Sequence, residues 1–268
     1  MIDDAAHPRV RAARRCHSAS GRRRTGRFLA EGTQATREAL LSEGVVAEVL
    51  ATSDWLATHA DLARAAADRQ VPVHEVTDRV LRVAAETTTP QGVVAVCRDV
   101  TVDLGTMLAG SPRLLVVLAE VRDPGNAGTI IRTADAAGAD GVVLTRGSVD
   151  PLGGKCVRST VGSLFHLPVT VGHPPEVLDD LRSAGLTVLA ADGHGTLDLA
   201  AASQGLLTTP TAWLVGNEAT GLPPAYAGHA DASVRVPMYG RAESLNVSVA
   251  AALCLYASAE AQRRGEPA

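Results

Sequence analysis

Aromatic residues are scarce in this 268-residue chain: two Trp, three Tyr and two Phe, 3% in all. Any surface for nucleic acid must therefore lean on arginine rather than on a series of aromatic stacking platforms. Lysine is almost missing, since Lys155 is the only one and every other basic residue is arginine. The four cysteines, Cys16, Cys97, Cys156 and Cys254, are scattered, with no CxxC pair and no histidine at zinc spacing. That argues for reduced structural thiols and no metal site. No apolar run approaches the roughly 20 residues that span a membrane. The arginine-rich start lacks the apolar segment of a secretory signal, so a cytoplasmic protein with no membrane partner is expected. Neither GxGxxG after a strand nor GxxxxGK[ST] occurs, which counts against an ordinary dinucleotide or P-loop enzyme. The eight histidines form no close cluster, so a histidine general base is not expected.

What is present is an ordinary globular composition, 46% hydrophobic and 20% charged, long enough for one or two domains with a sizeable core. The net charge of −4 excludes a wholly basic nucleic-acid coat. Its distribution is uneven, however. Arginines stand at 9, 11, 14, 15, 22, 23, 24 and 27 against only Asp3 and Asp4 in the same stretch. Such a cluster either contacts phosphate or forms a solvated tail, and both readings stand for residues 1–20.

Residues 21–100 read as a small α/β unit, with strands at 28–32, 45–51 and 71–76, a polar turn and then a strand within 87–97, and helices at 33–42, 55–69 and 78–85. Residues 101–111 are the expected linker. From 112 to 264 strands alternate with helices, which predicts a mainly parallel sheet covered on both faces.

Three stretches carry chemistry. The first is Glu120-Val-Arg-Asp-Pro-Gly-Asn-Ala-Gly-Thr-Ile-Ile-Arg-Thr-Ala-Asp-Ala-Ala-Gly138. It reads as a turn out of a strand, with Asn126 able to cap the following helix. Arg132 lies in an apolar context and needs an anionic partner, either a ligand phosphate or a carboxylate such as Asp135. The second is Trp213-Leu-Val-Gly-Asn-Glu-Ala-Thr-Gly-Leu222, a buried strand stopping in a glycine-bounded loop. Glu218 there can bond backbone amides, orient Arg132 or face a substrate. The third is Val236-Pro-Met-Tyr-Gly-Arg-Ala-Glu-Ser-Leu-Asn-Val-Ser-Val-Ala-Ala-Ala252, a strand end and loop leading into a helix from Ser244, the expected N-cap. Glycines in these loops leave backbone groups free to grip a flat polar ligand, while Leu222, Met238 and Leu245 supply apolar walls.

In order and spacing these stretches resemble the three motifs of the SpoU/TrmH family of S-adenosylmethionine-dependent RNA ribose 2′-O-methyltransferases. The resemblance implies an α/β fold whose C-terminal parallel sheet holds a deep trefoil knot, residues 112–264. It also implies a homodimer whose site is built at a symmetric interface. S-adenosylmethionine is the implied cofactor, enclosed by Leu214, Gly216, Asn217, Gly221, Leu222, Val236, Met238, Leu245 and Asn246. Arg132, Asn126, Glu218, Ser244 and Asn246 are the implied catalytic set, with Arg132 polarising the 2′-hydroxyl or the adjacent phosphate. Arg22-Arg-Arg-Thr-Gly-Arg-Phe-Leu-Ala-Glu-Gly32 and Thr89-Pro-Gln-Gly-Val-Val-Ala-Val96 resemble the ends of a ribosomal-protein-like RNA-binding domain at 21–100. Within it Arg22, Arg23, Arg24 and Arg27 are the expected phosphate contacts. The implied substrate is 23S ribosomal RNA; the alternatives are transfer RNA and a non-catalytic RNA-binding role.

Overall fold

The computed structural model describes residues 1–172, 176–217, 221–223, 226 and 228–264. The chain forms two compact units, Met1–Val100 with Asp150–Phe165, and Thr101–Val149 with His166–Ala268.

The first unit begins with a helix where a tail was expected, α1 (Pro8–Arg15), followed by α2 (Ala19–Thr25). Pro8 opens α1, and Val10 and Ala13, three residues apart, are fully buried while Arg9, Arg11, Arg14 and Arg15 stay exposed. The arginine content had hidden an amphipathic helix. Next come β1 (Arg27–Glu31), α3 (Thr33–Leu41), β2 (Val46–Ala51), α4 (Ser53–Thr58), α5 (Ala60–Asp68), β3 (Val73–Glu75), α6 (Asp78–Ala84) and β4 (Val93–Arg98). The sheet order is β1-β4-β2-β3, with β4 antiparallel to β1 and β2, and β3 parallel to β2. The single helix expected over 55–69 breaks at His59, whose backbone (φ −118°, ψ 50°) leaves the helical region. The core joins Leu29, Leu50, Val94 and Val96 of the sheet to Val80 and Leu81 of α6 and to Val10 and Ala13 of α1.

The second unit starts inside the expected linker. The Asp103 side chain accepts from the Thr106 amide at 2.8 Å to cap α7 (Leu104–Ala109), and Met107 enters the core. After it run β5 (Leu114–Leu118), α8 (Pro124–Ala137) and β6 (Gly141–Thr145). The chain then contributes α9 (Gly154–Thr160) to the first unit. It continues through β7 (Val169–Gly172), α10 (Glu176–Ser183), β8 (Thr187–Ala191), β9 (Leu197–Asp198), α11 (Leu199–Ala202), β10 (Thr211–Val215), β11 (Ala232–Arg235) and α12 (Val247–Arg263).

The seven strands are parallel, in the order β7-β6-β5-β10-β8-β11-β9. Every residue of β5, β6 and β10 is buried, as expected of central strands covered on both faces. On one face Val117 and Leu214 pack with Leu178 and Leu181 of α10. On the other, the Trp213 indole donates to Ser258 Oγ of α12 at 2.8 Å, a fully buried bond. From β5 the chain moves outward to β6 and β7, while β10 flanks β5 on its other side. The strand order thus reverses between β5 and β10, and a parallel sheet opens a crevice at the carboxyl ends of such a pair.

Residues 150–165 lie in the sequence span assigned to the C-terminal domain but pack within the first unit. Asp150 pairs with Arg22 at 2.7 Å, Arg158 lies 3.4 Å from Glu31, and the Phe165 ring stacks on Phe28 with centroids 6.1 Å apart. These partners are more than 120 residues apart in the chain, beyond the reach of any local periodicity.

Candidate active site

The first and second motifs leave the sheet at β5 and β10, on the two sides of the strand-order reversal. Past β5, Glu120 takes a left-handed backbone (φ 56°), unusual for a residue with a side chain. Its carbonyl accepts from Asn217 Nδ2 at 2.9 Å, and its carboxylate pairs with Arg122 at 2.9 Å. The turn continues to Asp123, whose Oδ1 accepts from the Asn126 amide at 2.9 Å. Asp123, rather than Asn126, is therefore the N-cap of α8, with Pro124 in the first turn as helix starts favour. This leaves the Asn126 side chain available for other partners.

Past β10, Asn217 and Gly221 exchange two backbone hydrogen bonds, each 2.9 Å, and close a short loop on itself. Gly221 sits at φ 69°, where glycine is favoured. A Cβ on Gly216 would come within 2.5 Å of the Gly221 carbonyl carbon and the Leu222 nitrogen. The requirement for glycine at 216 thus comes from the loop's own backbone. Glu218 lies outside the described residues. Leu214 is buried, and Leu222 packs, half-buried, against the core group that includes Leu214 and Tyr226. Tyr226 escaped the sequence reading, because nothing local marks it. It is 2% exposed, and burial raises its phenol pKa, with the Thr145 hydroxyl opposing.

The third motif meets the first directly. Asn246 Nδ2 donates to Asn126 Oδ1 at 3.1 Å, across 120 positions of sequence. Asn246 Oδ1 accepts from the Ser248 amide at 2.9 Å and from its hydroxyl at 2.5 Å. Asn246 is accordingly the N-cap of α12, which begins at Val247, and Ser244 stands outside the helix, exposed. One carboxamide performs both tasks, its oxygen capping a helix and its nitrogen holding Asn126. Between β11 and Asn246 the loop is largely open. Val236 and Leu245 are half-buried, while Met238 is 40% exposed and Tyr239 is 96% exposed.

Arg132 departs from the expectation of a buried charge. It is exposed, and it makes no ion pair among the described residues. Six helical residues place it about 9 Å along α8 from Asn126 and about 120° round the axis. Asp135, the carboxylate considered as its partner, instead bonds His166 Nδ1 at 2.7 Å.

The arginines of the first unit divide. Arg22 is 8% exposed. It donates through Nε (3.0 Å) and Nη2 (2.7 Å) to Asp150 Oδ2, and through Nη1 (2.8 Å) to the Cys16 carbonyl. Its place among the expected phosphate contacts is corrected, because its donors are already spent inside the fold. Arg23 and Arg24 are exposed and Arg27 is half-buried. None of the four cysteines forms a disulfide and all are buried; burial pushes the Cys254 thiol up to about 12. Among the described residues no group of three or more His, Cys, Asp and Glu side chains could hold a metal ion, and no helix is long and apolar enough to cross a membrane.

Residues 113–256 match the SpoU rRNA Methylase family, and residues 7–95 match the MRM3-like substrate binding domain. The chain is 37% identical over 258 residues to the 23S rRNA (guanosine(2553)-2′-O)-methyltransferase RlmP of Bacillus subtilis, covering 96% of this chain and 98% of the relative. It is 36% identical over 197 residues to a 23S rRNA (uridine(2479)-2′-O)-methyltransferase of Streptomyces viridochromogenes, covering 71% and 68%. Among solved structures it superposes on the AdoMet-bound rRNA methyltransferase of Sinorhizobium meliloti with a TM-score of 0.83 at 31% identity, over 100% of this chain and 98% of that one. The SpoU methyltransferase AviRb of Streptomyces viridochromogenes, in complex with AdoMet, gives a TM-score of 0.83 at 31% identity over 97% and 100%. The chain belongs to the SpoU rRNA Methylase family.

Proposed function

We propose that this protein transfers a methyl group from S-adenosylmethionine to a ribose 2′-hydroxyl of 23S ribosomal RNA. The observation that carries the reading is the Asn246–Asn126 hydrogen bond, which ties the third motif to the first where the strand order reverses. The Asn217–Glu120 bond ties in the second. The relatives named as 23S rRNA 2′-O-methyltransferases support ribosomal over transfer RNA.

The residues at the strand ends suit the methyl donor. Val236, Met238 and Leu245 on the third stretch, and Leu222 at the end of the second, are apolar side chains left partly uncovered. That combination fits a ligand with a flat purine and an aliphatic arm. Bound there, S-adenosylmethionine supplies an electrophilic methyl group, so the protein's own part is chiefly alignment and removal of one proton. Asn126, held by Asn246, offers a fixed amide to the incoming ribose. Arg132, exposed and without an ion pair among the described residues, is the group that polarises the 2′-hydroxyl or clamps the adjacent phosphate. Ser244 positions the same ribose, and Glu218 completes the catalytic set.

An exposed apolar stripe on α12 supports a homodimer. Val249, Leu253 and Tyr256 are 47%, 43% and 53% exposed along α12 at helical spacing. Such a stripe supports a second copy packed on it, with Arg132 serving the partner's site. The position of β10 between β5 and β8, with α12 packed on α8, supports the knotted path that the family resemblance implies. The first unit contacts the RNA through exposed Arg23 and Arg24 and through half-buried Arg27 at the start of β1.

The test is Arg132→Ala in single-turnover methylation of 23S rRNA with saturating donor, beside calorimetry of donor binding. A rate about a hundredfold lower, with donor affinity unchanged, is expected for a charged hydrogen bond made in the transition state. Arg132→Lys keeps the charge but loses the planar fork, so it should fall nearly as far. A wild-type rate in Arg132→Ala would remove Arg132 from the chemistry.

A further inference from the structure

Tyr239 has no structural employment in the fold. Of the seven aromatic residues, Trp55, Trp213, Phe28 and Tyr226 are buried, Phe165 is half-buried and stacked on Phe28, and Tyr256 belongs to the α12 stripe. Tyr239 alone is 96% exposed. It lies in the loop that leaves β11 and ends at Asn246, the residue bonded to Asn126. The next residue, Gly240, has open space around it, since a Cβ there would meet nothing within 4 Å. Arg241 is exposed too, and it makes no ion pair among the described residues. An aromatic ring and an uncommitted cation thus stand two residues apart on the loop that ends at Asn246.

We infer that Tyr239 is the stacking platform for a nucleobase of the substrate RNA, at or next to the methylated nucleotide, with Arg241 facing its phosphate. The inference rests on the RNA methylation reading and adds a specificity-determining residue to it. A-form helices all display their 2′-hydroxyls alike along the shallow minor groove, so one ribose is singled out most readily in an unpaired segment whose bases can be splayed out. Proteins that read unpaired RNA hold splayed bases on aromatic faces, because every base has a π-face to offer. A phenol ring kept in water on the loop that ends at Asn246 is ready for that contact. A cation two residues on favours a polyanion over a purely apolar protein partner.

The experiment compares wild type with Tyr239→Ala, Tyr239→Trp and Tyr239→Leu, using an unmodified 23S rRNA transcript as the probe. Affinity for the transcript, single-turnover methylation, donor binding by calorimetry and oligomeric state by sedimentation are measured for each. Losing one stacked base should weaken RNA affinity roughly 5- to 100-fold in Tyr239→Ala. Tyr239→Trp should restore it and Tyr239→Leu should not, with donor affinity and oligomeric state unchanged throughout. Three results would overturn the inference: unaltered RNA affinity in Tyr239→Ala, full rescue by leucine, or loss of the oligomer in Tyr239→Ala. Failure of the wild type to methylate the transcript would instead count against the proposed reaction. The affinity series would still decide whether Tyr239 holds a base.

Discussion

Replacing Arg22 with alanine should damage the fold and leave the RNA-facing charge nearly intact. Its guanidinium meets Asp150 Oδ2 with two N–H donors, at 3.0 and 2.7 Å, and the Cys16 carbonyl with a third at 2.8 Å, while Glu86 lies 3.9 Å away. Removing one partner of a fully buried ion pair costs about 3–5 kcal/mol, mostly through the charge left behind. Here the Asp150 and Glu86 side chains keep 31% and 21% exposure, so water can relieve part of the loss. A cost of about 2–3 kcal/mol remains. For a cooperative unit of this size that is a fall of about 10 °C in Tm, measurable by calorimetry or circular dichroism. Arg22→Lys should lose less, since it keeps a charge near Asp150 but not the fork. A double-mutant cycle with Asp150→Ala should return a coupling on the order of 1–3 kcal/mol. If Arg22→Ala melts within about 0.5 kcal/mol of wild type yet loses RNA affinity, the buried-pair reasoning is refuted.

The exposed neighbours should behave in the opposite way. Arg23→Ala with Arg24→Ala should leave Tm unchanged and flatten the slope of log RNA affinity against log salt by about 0.7–0.9 per lost phosphate contact; an unmoved slope would exclude them as contacts. Asn246→Ser separates the two tasks of that residue. Serine caps a helix nearly as well, so Tm should hold, while the bond to Asn126 is lost and single-turnover methylation should fall about a hundredfold. An unchanged rate would mean that Asn126 needs no such support. His74, its pKa lowered from 6.5 by burial and then by Arg9, binds fewer protons folded than unfolded on the acid side. Its contribution to stability is complete above pH 6.5 and is lost as pH falls through the folded value. His74→Gln should therefore reduce the loss of Tm between neutral pH and pH 5, and an identical acid profile would show that His74 has no part in it.

How much could be read from the chain alone depended on how local each signal was. The alternation of strands with helices beyond residue 112 and the buried strand at Trp213 both follow from neighbouring residues. The three motifs were legible for the same reason, since each is a continuous strand-end segment. Local reading failed where a competing partner was distant or one position over. Asp123 and Asn246 took the caps expected of Asn126 and Ser244, because an oxygen two or three residues before the open amides decides the cap. Arg22 looked like its neighbours Arg23 and Arg24, and its bonds to Asp150, 128 positions away, and to the Cys16 carbonyl made it structural.

Composition and spacing by themselves determined the class of molecule, an α/β protein with no phosphate-binding glycine loop and three strand-end loops rich in small polar residues. Only the tertiary structure decided that β10 lies between β5 and β8, that residues 150–165 pack with the first unit, and that Asn246 reaches Asn126. Those are long-range pairings. Periodicity records which face of an element is apolar, but it does not record which distant face will cover it.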